Sequence, residues 1–136
     1  MNLASGDYVW VAEADDYAKE NFLNEVVSPL KKNNNIVISY ADTGFIDSNG
    51  YITKNSLVDQ IDILKTNHWN ASYVNKGISE INCYSYLNCT IPNVSGTIIK
   101  KGNYDEIFES AKKFHQSGDW FTYLNILNLG DISFIN

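Results

Sequence analysis

Three short patterns near the start of the chain, taken in order, constrain its fold more than anything else in the sequence. Residues 7–12, DYVWVA, form an apolar run that reads as a short, fully buried strand. Residues 21–30, NFLNEVVSPL, set Phe22, Leu23, Val26, Val27 and Leu30 at helical spacing, and Pro29 with the polar KKNNN that follows is expected to end that helix. Residues 36–40, IVISY, are again apolar and rich in β-branched side chains, as an inner strand requires. Strand, helix and strand in this order predict a βαβ unit, and with it an α/β fold whose mostly parallel sheet carries flanking helices.

The rest of the chain fits one domain over residues 1–136, with no internal repeat or low-complexity linker. TGFIDSNGYIT, at 43–53, predicts a hairpin turning at Asp47-Ser48-Asn49-Gly50. It is no calcium loop, because Phe45 stands where the first liganding Asp belongs. Leu57, Ile61 and Leu64 permit a helix, but TNHWNASYVNKGISEIN, at 66–82, has no clean period and reads as a long surface loop with embedded aromatics. A strand is expected at Thr97–Lys100, an amphipathic helix over YDEIFESAKKF, and a second helix over SGDWFTYLNILNLG with Gly130 as its stop. DISFIN closes with a strand.

Charge narrows the function. The net charge is −6 and no arginine is present, a poor basis for gripping phosphate backbones, so nucleic acid is not expected as a partner. No apolar run approaches the roughly 18 residues needed to span a bilayer. Met1–Asp7 carry no basic cluster ahead of an apolar stretch, so no secretory signal is expected and the cytoplasm is the expected compartment. There, Cys83 and Cys89 are expected to be reduced, and the Asn-x-Ser/Thr triplets at Asn70, Asn88 and Asn93 are chance.

Glu13, Asp15 and Asp16 follow directly on the first strand. In open parallel sheets ligands gather beyond the C-terminal ends of the strands, and crowded carboxylates there repel unless a cation or ligand hydroxyls compensate. Magnesium or manganese takes one or two carboxylates and leaves positions for phosphate oxygens, which suits a diphosphate. The plain alternative is that Asp15 or Asp16 caps the following helix.

LASGDYVWVAEADDYAKENFL resembles the centre of the inverting family-two glycosyltransferases of the GT-A fold, which carry an apolar run, an Asp-x-Asp-Asp type motif, a short loop and Phe-Leu. A second patch, FHQSGDWFTYLNILNLGDISFIN, is similar to their late acidic residue, aromatic, helix, glycine and strand. The resemblance implies that Asp15 and Asp16 hold the metal (Mg or Mn) and the nucleotide-sugar donor. Asp16 is then the direct ligand, with Glu13 in place of the usual leading Asp. It also implies that Asp119 is the general base that deprotonates the saccharide acceptor. On the residues alone Asp119 reads as a helix cap. Trp120 as a sugar platform, His115, His68 and Trp69 near the site, and Asn93 and Ser95 on an acceptor-side loop are further candidates. The resemblance covers only the later part of the family domain. The nucleotide-binding repeats that the family carries ahead of the acidic motif are then expected to lie elsewhere, with weak donor binding by these residues alone and a homo-oligomer covering the exposed sheet flank. The reading of a different class is a non-catalytic carbohydrate- or protein-binding domain with Tyr- and Trp-rich loops. A metal-dependent phosphohydrolase would need a nucleophile and lysine constellation that the sequence lacks.

Overall fold

The structure, a computed structural model, describes residues 4–136. Along it run β1 (Tyr8–Trp10), α1 (Phe22–Lys32), β2 (Ile36–Ala41), β3 (Phe45–Ile46), β4 (Ile52–Lys54) and α2 (Val58–Ile61). They are followed by β5 (Tyr73–Asn75), α3 (Gly77–Glu80), β6 (Thr97–Lys100), α4 (Asp105–Ala111), α5 (Gly118–Leu127) and β7 (Asp131–Ile135). Five strands form one sheet in the order β1-β6-β2-β7-β5, and β3 and β4 pair as the separate hairpin. The result is a mixed α/β fold.

The mostly parallel sheet expected from the sequence is not what forms. Only β2 and β7 pair in parallel; β1 with β6, β6 with β2, and β5 with β7 are antiparallel. The physical reason is insertion: β6 lies between β1 and β2 and satisfies the facing edges of both. β1 and β2 still point the same way, as strand-helix-strand required, without being neighbours. Insertion also leaves β1 at the edge, so the expectation of a fully buried strand fails: Trp10 is 36% exposed and Val11 54%. β2, in the interior of the sheet, is buried from Ile36 to Tyr40.

Helices cover both faces, and β6 shows why. Its Ile98 packs with Val26 and Leu30 of α1, while Thr97 and Ile99, on the opposite face by strand alternation, meet Phe108 of α4 and Tyr123 of α5. Pro29 lies inside α1 rather than at its end. The last turn survives because the Pro29 carbonyl accepts the Asn33 N–H at 3.0 Å. Gly130 stops no helix through a left-handed conformation, since Gly50 is the glycine with positive φ among the described residues. It is needed for close approach: a Cβ there would stand 2.5 Å from the Asn35 carbonyl oxygen and from a Val37 methyl. The hairpin is as expected, with Gly50 at φ 82° and the Asp47 carboxylate accepting the Asn49 and Tyr51 N–H groups.

The stretch read as a surface loop is structured. A 3-10 turn at His68–Asn70, β5 and α3 all fall between residues 68 and 80, and Trp69 is only 2% exposed, while α2 forms ahead of them where Leu57 and Ile61 permitted a helix. These elements are three or four residues long, too short to print a period, and are held by tertiary contacts instead.

Candidate functional site

The C-terminal ends of β1, β2 and β7 share one edge of the sheet with the first residue of β6, since Trp10 pairs with Ile98, Tyr40 with Thr97 and Ala41 with Ile135. The chain leaves β1 at this edge and turns over residues 13–16, where the Asp16 N–H donates to the Glu13 carbonyl at 3.3 Å. Glu13, Asp15 and Asp16 are all exposed on that turn. None of them caps α1. That helix begins after Asn21, five residues beyond Asp16.

Asp119 lies on a different element. It is the second residue of α5, whose capping position is Ser117. So the cap reading fails here too: Asp119 Oδ1 accepts only the neighbouring Trp120 N–H, at 2.7 Å, and the side chain is exposed. One turn on, Tyr123 lines a cleft together with Thr97 at this edge. Burial first, then the charges of Cys89, Asp119 and Glu13, push the Tyr123 hydroxyl well above the usual phenol range, against the lowering effect of Thr97. Beneath it opens a largely apolar cleft of about 280 Å³ between β1, β6 and the two helices, with Val9, Ile99 and Phe108 in its walls.

The loop before β6 grips the acidic turn. Ser95 Oγ accepts the Glu13 N–H at 2.9 Å, the Ser95 carbonyl accepts the Trp10 indole N–H at 2.7 Å, and Asn93 Nδ2 donates to Asp16 Oδ2 at 2.9 Å. Asn93 and Ser95 thus sit against the acidic turn rather than apart from it.

Other candidates fall away from the edge or into the interior. The Trp120 indole donates to the Ser85 carbonyl at 3.0 Å, which holds the ring against its own helix layer and not as an open platform. His115 is exposed between α4 and α5. Trp69 is core, its indole N–H donating to the Tyr40 hydroxyl at 2.6 Å. His68 is stacked between Tyr84 and Tyr73, with ring centroids 3.7 and 3.9 Å away. Its Nε2 meets Glu80 at 3.0 Å.

Sequence reasoning missed that carboxylate altogether. Glu80 is fully buried and accepts from Tyr73 Oη at 2.9 Å and Asn75 Nδ2 at 2.8 Å in addition to His68. The Tyr73 hydroxyl in turn contacts Tyr40 Oη at 3.0 Å. Burial, reinforced by Glu80, raises the pKa of both phenols. A satisfied buried network of this kind specifies a core rather than a reaction. Burial likewise pushes the Cys89 thiol up to about 11, against a nucleophilic role, and both cysteines are free.

Among the described residues no group of three or more His, Cys, Asp and Glu side chains is gathered to hold a metal. Magnesium and manganese sites that hold phosphates ask less, one or two carboxylate oxygens with ligand oxygens completing the shell, and exposed Asp15 and Asp16 fit that donor set. Among the described residues, no helix is long and apolar enough to cross a membrane. Compared with protein-family models, curated proteins and solved structures, the chain has no match.

Proposed function

We propose that the chain is the later part of a GT-A-type, family-two glycosyltransferase domain acting in the cytoplasm, which moves a sugar from a nucleotide-sugar donor to a saccharide or glycoconjugate acceptor with inversion. One observation carries this reading: Val11, just ahead of the acidic turn, and Tyr123, one turn beyond Asp119 in α5, line the same cleft beside Thr97 at this edge. Inverting transfer needs a base on the acceptor side and compensation of charge on the leaving diphosphate. Asp15 and Asp16 would hold Mg or Mn, and the cation would supply that charge compensation. Asp119, with one oxygen tied to the Trp120 N–H, keeps the other for the acceptor hydroxyl. The mixed sheet does not weigh against the reading, because the parallel alignment of β1, β2 and β7 is what brings their C-terminal ends together.

The test is titration with Mn²⁺ and then a nucleotide-sugar, with the strand-helix repeats implied by the resemblance supplied ahead of this stretch. Native protein is expected to bind both, and Asp16→Ala to lose Mn²⁺ binding by at least tenfold. Glycan binding that ignores both the metal and Asp16→Ala would instead establish the binding-module reading, which the exposed Tyr17 and Tyr51 favour at 79% and 72% accessibility. As a partner we further propose a second copy over the β1 edge, where Val11 and the apolar cleft lie open. Sedimentation of the 136 residues should show a dimer that Val11→Lys dissociates; a monomer at high concentration refutes it.

A further inference from the structure

We infer that Asn93 is a positioning residue for Asp16, the side chain that aims one carboxylate oxygen of the acidic turn at its ligand. The inference rests on the proposed reading of Asp16 as a cation ligand and assigns Asn93 to the donor side of the site, where the sequence had suggested the acceptor side.

The orientation of the Asn93 amide follows from its two neighbours. Its Oδ1 accepts the Gly96 backbone N–H at 2.7 Å, a group that can only donate, and its Nδ2 faces Asp16 Oδ2 at 2.9 Å, a carboxylate oxygen that accepts. Flipping the amide would set donor against donor and acceptor against acceptor. The asparagine is itself anchored, because its carbonyl accepts Thr97 Oγ1 at 3.0 Å. Asp16, by contrast, is exposed and has no packing to select a rotamer. Asn93 supplies that selection. It occupies Oδ2 and makes no bond to Oδ1, while Ser95 holds the backbone of the same turn through the Glu13 N–H. Partners of this sort around metal-binding carboxylates are worth roughly 10–100-fold in affinity.

The experiment has two readouts on the 136-residue chain. In metal-free protein, ¹⁵N NMR of the Asn93 side-chain amide should show a shift on Asp16→Ala, while the Gly96 backbone N–H stays in place because its own bond persists. In a Mn²⁺ titration followed by electron paramagnetic resonance, Asn93→Ala should bind about tenfold more weakly than native. An Asn93 amide indifferent to Asp16→Ala overturns the inference, as does native Mn²⁺ affinity in a folded Asn93→Ala. If the native chain takes up no Mn²⁺, the glycosyltransferase reading loses its cation, and the amide shift alone upholds or overturns the bond between these two side chains.

Discussion

Glu80→Ala is expected to destabilise the fold by about 3–5 kcal/mol, the range for removing one member of a buried, hydrogen-bonded charge cluster. Three donors converge on this fully buried carboxylate, from Tyr73, Asn75 and His68, and each would lose its acceptor. The damage should spread, because Tyr73 passes the network to Tyr40 and Tyr40 accepts from Trp69 in the main core. Urea unfolding monitored by tryptophan fluorescence measures it. Glu80→Gln keeps the shape and one acceptor oxygen and should lose roughly half as much. A loss under about 1 kcal/mol for the alanine variant would mean that the network contributes little beyond filling space.

The second large effect concerns chemistry. In protein supplied with the strand-helix repeats, Asp119→Asn should lower kcat by about 10²–10⁴, the usual contribution of a positioned general base. Mn²⁺ and donor affinity should stay within twofold of native. The asparagine oxygen can still accept the Trp120 N–H, so the start of α5 is preserved and the change is confined to proton transfer. Asp16→Ala should show the reverse pattern, with cation binding lost first. Nucleotide-sugar turnover measured in both variants separates the roles, and native turnover in Asp119→Asn would remove that residue from the mechanism.

Local patterns read well wherever an element is long enough to carry a period. α1 and α5, the central strands β2 and β7, and the Asp47–Gly50 turn all fall where spacing and turn chemistry put them. The acids of the candidate site were also legible as residues, because carboxylates placed directly after an apolar run stand out against any burial pattern. Their surroundings were not. Both cap readings failed for a geometric reason: capping requires the residue immediately before the helix, and α1 and α5 begin from Asn21 and Ser117. Asn93 stood out only as an acceptor-side candidate, and its bond to Asp16 was not legible, since that partner lies 77 residues away in the chain. Residues 66–82 defeated the reading for the same reason, as Glu80, His68, Tyr73 and Tyr40 become one network only when β5 docks on β7.

By itself, then, the order of residues determined which of the longer segments become helix or strand, the common direction of β1 and β2, and the presence of acids at the end of a strand. Those are properties of neighbours in the chain, governed by periodicity, propensity and turn geometry. Tertiary structure alone decided that β6 would enter between β1 and β2, that β1 would lie at an edge, and that Glu80 would be buried. It alone brought the turn at 13–16 against the loop at 93–96, and Tyr123 of α5 into the cleft beside them. Contacts of that kind depend on which distant edges and faces satisfy one another's hydrogen bonds and apolar surface, and that selection is made by the assembled fold rather than by any single stretch of it.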